Sequence, residues 1–333
     1  MERNFWQTLP RPFFALAPLA NITDYSFRQF ITRYHKPDVL WTEFVAADGL
    51  CHPKGREALL RDLRFDANER PIVAQLFTGH PEQMFEAAKL IAELGFDGLD
   101  INMGCPDRNV MRQGAGAACM RDPAQAQALI RAARAGSHAG GAELPISVKT
   151  RLGVSEDNLE SWLPALLDAK PALITLHART KKELSLVPAR WERVKRAVEI
   201  AAGSGTLIMG NGDVRSMADA RRKVRETGCD GIMIGRGVFG NPWLFDETRT
   251  SMHVWERLEA MLALTELFET TWHGTKSFEL LKKHFQAYVV GFAGARDLRA
   301  ALMLTHDGNA VKQVIAHFLV AHPSVAEQEI QQG

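Results

Sequence analysis

GLDINMGCP, residues Gly98–Pro106, is the stretch from which the fold of this chain is best read. It starts as an apolar run, Gly98–Met103, of the kind found in strands buried on both faces of a parallel sheet. The chain then turns at Gly104 and presents Cys105, before a basic, glycine-bearing loop that runs to Pro123. A thiol in this place is either a small buried apolar residue or a reactive group at the mouth of a scaffold.

Eight such apolar runs recur along the chain, with helical patterns between them. The predicted strands are Phe13–Ala20, Val39–Val45, Pro71–Phe77, Gly98–Met103, Ile146–Arg151, Leu173–Arg179, Thr206–Gly212 and Gly231–Gly237. The predicted helices are Ser26–Tyr34, Pro81–Leu94, Pro123–Ala135, Asn158–Leu167, Arg190–Ala202 and Ser216–Thr227. Eight strand–helix units within about 245 residues predict an α/β fold, a (β/α)8 TIM barrel.

The spacing of the predicted strands singles out the loop after the fourth one. Successive strand ends lie 25 to 33 residues apart, but Met103 and Thr150 are 47 residues apart. In this fold, insertions that follow the carboxyl ends of strands build the active site. The added length therefore indicates a functional loop that begins at Cys105.

The strand pattern stops after Asn241–Pro242, and a C-terminal all-helical domain is predicted to follow. Its helices are Val254–Thr271, Ser277–Gly291, Ala293–Leu304 and Gly308–Leu319, in which apolar residues recur every three or four positions. We therefore predict a catalytic barrel over residues 1–245 and a helical domain over residues 246–333.

The composition is that of an ordinary globular protein, with 46% hydrophobic and 24% charged residues and a formal net charge of +1. A site for a polyanion must therefore be a local patch. Four cysteines without a CxxC pair argue against a zinc site and a disulfide framework, and favour a reducing compartment. No apolar run is long enough to span a membrane. We expect a cytoplasmic monomer that binds neither membrane nor metal.

Nearly every predicted strand ends in a polar or glycine-containing pair, and such ends meet at one rim of a barrel. The pairs are Ala17 with Pro18, Asn102 with Cys105, Lys149 with Arg151, His177 with Arg179, Asn211 with Asp213, and Gly235 with Arg236; Glu43 and Gln75 stand alone. Each side chain by itself could be structural. Their joint placement favours a binding site.

The last two predicted strands end in GNGDV, Gly210–Val214, and IGRG, Ile234–Gly237. Glycines there either serve tight turns or let backbone N–H groups approach a phosphate, which barrels often bind after strands seven and eight. A phosphorylated cofactor is the natural expectation. Lys149 could hold a negative charge on it, and His177 and Arg236 could reach its phosphate.

Taken together, the motifs along the chain resemble those of the tRNA-dihydrouridine synthase family. The resemblance runs from about Phe14 to about Leu319, in the order of the family. It rests on APLA…TDYSFR (Ala17–Arg28), TEF (Thr42–Phe44), VAQLF (Val73–Phe77), DINMGCP…GAGAA…RDP (Asp100–Pro123), SVKTRLG (Ser147–Gly153), LHART (Leu176–Thr180), GNGDV, MIGRG…NPWLF (Met233–Phe245) and KKHFQAYVVGFAGARDLR (Lys282–Arg299).

The resemblance implies an FMN-dependent oxidoreductase that reduces the C5–C6 bond of particular uridines in tRNA, followed by a helical tRNA-binding domain. NADPH or NADH would reduce FMN, whose hydride would pass to C6 of a flipped-out uridine, while Cys105 gives a proton to C5. The implied flavin contacts are Pro18, Gln75, Lys149, His177, Asn211, Gly212, Gly235 and Arg236, and we add their rim neighbours Ala17 and Asp213. Asn102, Arg151 and Arg179 are implied at the uracil pocket.

Two positions depart from the family pattern. Leu19 stands where the family usually has Met, and DRNVMRQ, Asp107–Gln113, replaces a loop richer in serine and lysine. Phosphate contacts are expected from local basic sets: Arg108, Arg112 and Arg121; Lys181, Lys182 and Arg190; and Lys276, Lys282 and Lys283.

Two alternatives remain. An FMN barrel reductase of a free pyrimidine, similar to dihydroorotate dehydrogenase, would need neither the helical domain nor the basic loops. A non-catalytic RNA-binding protein on a degenerate barrel would not need the intact cysteine, lysine and glycine set.

Overall fold

A computed structural model describes residues 4–331; residues 1–3 and 332–333, the outer ends of the two predicted domains, lie outside the described part. Eight parallel strands form one sheet. They are β1 (Phe13–Leu16), β2 (Leu40–Ala46), β3 (Ile72–Phe77), β4 (Gly98–Met103), β5 (Ile146–Arg151), β6 (Leu173–His177), β7 (Leu207–Asn211) and β8 (Gly231–Ile234). Each predicted strand is present, although β1, β6 and β8 end two to four residues earlier than predicted.

The strand order is that of a barrel. Each strand from β2 to β7 pairs with the next one in sequence, and β8 pairs with β1. A parallel bridge between Ala15 and Val39, together with a hydrogen bond from the Asp38 N–H to the Phe14 carbonyl oxygen, links β1 to the start of β2. The predicted (β/α)8 architecture is confirmed.

Helices connect the strands, and the six predicted ones lie within a few residues of the expected bounds. The helices up to β8 are α1 (Tyr25–Tyr34), α2 (Ala47–Cys51), α3 (Pro53–Asp62), α4 (Pro81–Glu93), α5 (Arg108–Arg112), α6 (Pro123–Ala139), α7 (Leu159–Asp168), α8 (Trp191–Ala201) and α9 (Met217–Thr227). Helices α2, α3 and α5 were not predicted. Two of them, α2 and α5, are single turns of five residues, too short to show helical periodicity.

The barrel interior is filled by large apolar side chains. Trp6, in the 3-10 helix Phe5–Gln7 that precedes β1, packs with Phe13 and Trp41 at ring-centroid distances of 5.5 and 5.7 Å. Met209 and Met233 belong to the same buried cluster. In this fold, active sites lie at the end of the barrel that carries the loops after the strands.

The chain divides into two compact units. The first comprises the residues up to Ala20, Pro37–Val214 and Ala218–Gly235; the second comprises Asn21–Lys36, Arg215–Met217 and the residues from Arg236 onward. The predicted boundary at residue 245 stays a prediction.

The second unit is mainly helical. It contains α1 and, after the 3-10 helix Arg236–Val238, α10 (Val254–Trp272), α11 (Lys282–Tyr288), α12 (Ala295–Met303), α13 (Gly308–Ala321) and α14 (Pro323–Ala326). The predicted helix Ser277–Gly291 is instead the 3-10 helix Phe278–Leu281 followed by α11. A short antiparallel pair, β9 (Ser251–His253) with β10 (Glu329–Gln331), was not predicted.

Within this unit, the Trp272 indole N–H donates to the Ser26 hydroxyl at 3.3 Å, which links α10 to α1. Between residues 4 and 331, no helix combines the length and the apolar character that crossing a membrane requires.

Candidate active site

A chain of buried hydrogen bonds fixes the residues at the end of β4. Gln75 on β3 donates its amide N–H to Asp100 at 2.6 Å and accepts from the Asn102 amide at 3.0 Å. The Asn102 side-chain oxygen then accepts the backbone N–H groups of Gly104 at 3.1 Å and Cys105 at 2.9 Å. The turn that carries Cys105 is therefore held by side chains of β3 and β4.

This series of hydrogen bonds begins at Asp100, which is fully buried inside the barrel. Burial raises the pKa of its carboxyl to about 6, although hydrogen bonds from Ser147 and Gln75 and the charge of Lys149 favour the ionised form. The Ser147 hydroxyl donates to Asp100 at 2.5 Å. Sequence reasoning missed Asp100 and Ser147 as site residues. The available signal was the spacing of Asp100 and Asn102, since residues two apart on a strand point to the same face.

Cys105 lies in a partly apolar pocket. Its side chain packs against a small cluster of Phe77, Val110 and Ala115. Burial raises the pKa of the Cys105 thiol above its ordinary value; the Asp107 backbone N–H and the positive charges of Lys149 and Arg151 oppose this rise, and the Asp107 carboxylate adds to it. Burial therefore favours the neutral thiol over the thiolate.

The loop after Cys105 folds back over it. Asp107 caps α5 by accepting the N–H groups of Asn109 and Val110, at 2.8 and 3.2 Å. Val110 points inward, whereas Arg108 and Arg112 are exposed. Asp107–Gln113, the segment that differs from the family pattern, thus contains an ordered helical turn. A Cβ atom on Gly116, whose φ is +59°, would lie 2.9 Å from the Cys105 carbonyl oxygen, so glycine is required at that close approach.

Lys149 is the central cation of the site. In the parallel register its Cα pairs with that of Asn102 on β4 and that of Thr175 on β6. Burial and the charge of Arg151 lower the pKa of the Lys149 ammonium to about 8, while Asp100 and Cys105 oppose the shift. Lys149 is thus mostly protonated at pH 7, yet it is poised to titrate a little above that.

Arg151 joins two loops at the rim. Its Nε donates to the Gly104 carbonyl at 2.9 Å, and one terminal nitrogen donates to the carbonyls of Thr180 and Leu184 at 3.2 and 3.4 Å. Burial lowers the pKa of this guanidinium to about 10, so it remains charged at pH 7. Arg151 therefore places one charge beside Cys105 while it positions the loop after β6.

Arg179 is similarly engaged. Its Nε donates to the Val187 carbonyl at 2.6 Å, one terminal nitrogen lies 3.3 Å from His177 Nε2, and the other forms a short ion pair with Asp213. All three nitrogens thus have protein partners, so Arg179 acts on the site mainly by holding its neighbours. Asp213 is held in turn, since it also accepts the Ala189 N–H at 2.9 Å.

Arg151, His177 and Asn211 occupy one row across β5, β6 and β7. The Asn211 amide donates to the Met233 carbonyl on β8 at 2.8 Å. The next residue, Gly212, has a φ of +132°, and a Cβ atom on it would lie 2.8 Å from the Ala189 Cβ and 3.3 Å from His177 Cδ2. The backbone at Gly212 therefore passes close to His177.

The remaining rim candidates lie near β1 and β8. Ala17 and Pro18 are buried just after β1, and a Cβ atom on Gly235 would lie 3.7 Å from the Ala17 Cβ. Arg236 is exposed and opens the 3-10 helix Arg236–Val238, in the second unit. Within the first unit, hydrogen bonds and strand register tie together nine candidates: Gln75, Asn102, Cys105, Lys149, Arg151, His177, Arg179, Asn211 and Asp213.

Several of the basic residues expected to contact phosphate have protein partners. Arg190 pairs with both oxygens of Glu183, at 2.7 and 3.0 Å. Lys282 is buried and pairs with Glu279 at 2.7 Å, and Lys276 lies 3.5 Å from Asp24. Lys282 was expected to contact phosphate, but its burial and its pairing with Glu279 do not fit that role. In the part of the chain from residue 4 to 331, no group of three or more His, Cys, Asp and Glu side chains could hold a metal ion.

Comparison with known proteins identifies the family. The family model described as "Dihydrouridine synthase (Dus)" matches residues 15–322. The chain belongs to the dihydrouridine synthase family. It is 38% identical over 322 residues to "Probable tRNA-dihydrouridine synthase 2" of Bacillus subtilis, covering 96% of this chain and 97% of that one. It is 36% identical over 324 residues to "Probable tRNA-dihydrouridine synthase" of Staphylococcus aureus strain COL, covering 96% of each.

Membership in the dihydrouridine synthase family confirms the predicted family and the prediction that the chain is an oxidoreductase. A solved structure of histamine dehydrogenase from Rhizobium sp. 4-9 is similar in fold, with a TM-score of 0.52 at 14% identity, over 76% of this chain and 48% of that one. At this identity the likeness concerns the fold alone, and it agrees with the barrel described above.

Proposed function

We propose that the chain is an FMN-dependent tRNA-dihydrouridine synthase that uses NADPH or NADH, with Cys105 as the acid. The observation that carries the proposal is the neutral, backbone-fixed thiol of Cys105 beside Lys149 and Arg151, in a chain similar along 96% of its length to proteins named tRNA-dihydrouridine synthases.

The residues at the rim fit FMN. Gly212 is buried, and its backbone passes so close to Ala189 and His177 that a Cβ atom would lie 2.8 Å from the Ala189 Cβ. Backbone N–H groups near Gly212 and Gly235 suit a phosphate, because glycine lets the main chain approach an anion closely. Gln75, Lys149, His177 and Asn211 supply the polar groups. Ala17, Pro18, Asp213 and Arg236 complete the set of flavin contacts that we propose from the family motifs. When bound, FMN supplies the hydride that uridine C6 receives.

Cys105 supplies the proton. A general acid must hold its proton until the substrate acquires negative charge, and the raised pKa of this thiol meets that condition. We propose that the Cys105 Sγ–H protonates C5 of the uracil. The turn that carries the thiol is fixed by Asn102, which keeps the sulfur in one place during the transfer.

Arg151 stabilises charge at the same point. Addition of hydride at C6 leaves negative charge on C5 and O4 of the uracil, and a fixed cation beside it lowers the energy of that state. Arg151 is charged, buried and bonded to the Gly104 carbonyl, so it needs no rearrangement to act in this way. Asn102 and Arg179 complete the pocket for the base.

The substrate uridine has to leave its stack to enter such a pocket, which favours loop nucleotides of tRNA. We propose that the exposed side chains of Arg108, Arg112 and Lys182 contact phosphates, and that residues 246–333 bind tRNA as a helical domain. We further propose that the enzyme acts as a cytoplasmic monomer.

A reconstituted assay tests the proposal. Purified protein loaded with FMN is incubated with NADPH and unmodified tRNA, and the RNA is digested and analysed for dihydrouridine by mass spectrometry. We expect dihydrouridine with the wild-type protein and none with Cys105→Ala, although that variant still binds flavin and oxidises NADPH. Cys51→Ser is the matched control, since that half-buried thiol belongs to α2 and donates to the Gln83 carbonyl at 3.6 Å. Reduction of free uracil or orotate, without reaction on tRNA, would favour the small-pyrimidine reductase instead.

A further inference from the structure

An apolar segment stands exposed at the rim of the barrel, in the loop between β6 and α8. Seven large hydrophobic side chains are exposed in the part of the chain that the structure describes, and three of them fall within four consecutive residues. Leu184, Leu186 and Val187 are 44%, 82% and 37% exposed. Single exposed leucines are normal on a surface, but a contiguous group marks an interaction site.

The backbone beneath this segment is held firmly. The carbonyl of Leu184 accepts from Arg151, and that of Val187 accepts from Arg179. Glu183 accepts the Thr180 N–H at 2.6 Å and pairs with Arg190 on the far side of the loop. The side chains of Leu184–Val187 are thus presented on a fixed frame and do not collapse onto the barrel.

The frame connects the segment to the candidate active site. Arg151 donates to the Leu184 carbonyl and also to the Gly104 carbonyl, which directly precedes Cys105. Arg179 likewise bridges the Val187 carbonyl and His177. A molecule whose reacting part lies at Cys105 therefore has the apolar segment beside its entrance.

The charges around the segment indicate what packs on it. Lys181 and Lys182 precede it, with Glu183 between, and the Glu183 carboxylate is paired with Arg190. The backbone N–H groups of the two lysines donate to the carbonyls of Gly153 and Val154, at 2.8 and 2.9 Å, which fixes their position. Lysines beside apolar side chains match a strand of RNA, which offers phosphates and, where its bases are unstacked, apolar base faces.

We propose that Leu184, Leu186 and Val187, the apolar rim segment, pack against unstacked bases of the tRNA substrate next to the uridine that is reduced. The inference rests on the proposed function, because it takes tRNA as the substrate. Extruding one base exposes the faces of its neighbours to water, and apolar side chains that cover them recover part of that cost.

The test separates apolar from ionic contacts. The variant Leu184→Asn/Leu186→Asn removes both leucines; asparagine tolerates the φ of +51° at residue 184. The dissociation constant for unmodified tRNA is measured between 50 and 200 mM salt, a range over which phosphate contacts weaken strongly. We expect the constant to rise about tenfold or more with an unchanged salt slope, because apolar contacts release no counterions.

Two controls accompany that measurement. Leu94→Asn changes a residue of similar exposure, 40%, at the C-terminal end of α4, which lies at the opposite end of the barrel; its affinity for tRNA should equal that of the wild type. Lys181→Ala/Lys182→Ala should weaken binding and reduce the salt slope. Binding of inorganic polyphosphate, which has no bases, should be the same for the leucine variant and the wild type.

Three results would overturn the inference: tRNA affinity of the leucine variant within about twofold of wild type, an equal loss of polyphosphate binding, or a wild-type dimer in sedimentation that the substitutions convert to a monomer. The last result would assign the segment to a contact between two copies of the chain. Absence of dihydrouridine in the wild-type assay would instead overturn the proposed function, and the binding measurement would still report on the segment.

Discussion

The side-chain oxygen of Asn102 accepts the backbone N–H of Cys105 at 2.9 Å, and the Asn102 amide N–H in turn donates to Gln75. This pairing sets the direction of the Asn102 amide, since the nitrogen must face Gln75 and the oxygen must face the turn. The thiol of Cys105 is therefore positioned by a buried network that begins at Asp100 and not by its own loop alone.

Replacing Asn102 by Ala removes the acceptor for the Gly104 and Cys105 N–H groups. We expect flavin binding to persist and the rate of uridine reduction to fall by about a hundredfold or more, the effect of displacing a general acid. Single-turnover reduction of tRNA by pre-reduced enzyme measures this step. Asn158→Ala, at an exposed residue whose side chain caps no helix, should react at the wild-type rate. An Asn102→Ala rate within threefold of wild type would contradict the role of the network.

The ionisation of Cys105 can be measured directly. Because burial raises the pKa of its thiol, the thiolate fraction at pH 7 is smaller than in free cysteine. We expect alkylation of Cys105 by iodoacetamide to be slower than that of free cysteine at pH 7 and to accelerate only at a higher pH than alkylation of free cysteine does. Peptide mass spectrometry separates Cys105 from Cys51. Rapid alkylation with an apparent pKa below 7 would show an activated nucleophile in place of an acid.

Flavin affinity should depend on pH through Lys149. The pKa of its ammonium is lowered to about 8, so the charge is present below pH 8 and is lost as the pH rises through that value. We expect FMN to bind more weakly from pH 7 to pH 9.5, as measured by quenching of flavin fluorescence. In Lys149→Arg the guanidinium stays charged over the whole range, so the decline attributable to residue 149 should vanish. Equal pH profiles for the two proteins would exclude Lys149 as the titrating cation.

The close approach at Gly212 predicts a selective loss of flavin. Gly212→Ala places a Cβ atom 2.8 Å from the Ala189 Cβ and 3.3 Å from His177, in a backbone conformation that costs about 1–3 kcal/mol for other residues. We expect weakened FMN binding with a lowered melting temperature. Gly203→Ala is the matched control: its φ is +78°, but no atom lies within 4 Å of the added Cβ. That variant should lose stability and keep its flavin affinity. Equal loss of flavin affinity in both variants would refute a role of Gly212 in flavin binding.

The barrel and most of its rim could be predicted from the sequence, because parallel strands buried on both faces leave continuous apolar runs and their ends meet at one rim. Cys105, Lys149 and His177 were found for this reason. Asp100 was overlooked because a carboxylate in mid-strand becomes meaningful only when its partners Gln75 and Ser147, on two other strands, are known.

Other features depend on contacts that are distant in sequence. The frame of the Leu184–Val187 loop is fixed by Arg151 and Arg179, and no local pattern encodes those bonds. Strands β9 and β10 have three residues each and are far apart in sequence. Strands this short carry no periodicity, so their pairing could not be predicted. The 3-10 helix Phe278–Leu281 and α11 were predicted as one helix, because the spacing of their apolar residues is that of a continuous helix.

Mapping of dihydrouridine in cellular tRNA tests the central claim most directly. tRNA is sequenced for this nucleoside in cells that have the gene for this chain, in cells that lack it, and in cells complemented with wild-type protein or Cys105→Ala. The account predicts that at least one uridine position loses its dihydrouridine in the deletion strain, regains it with the wild-type protein and does not regain it with Cys105→Ala. Full modification at every position in the deletion strain, or restoration by Cys105→Ala, would contradict it.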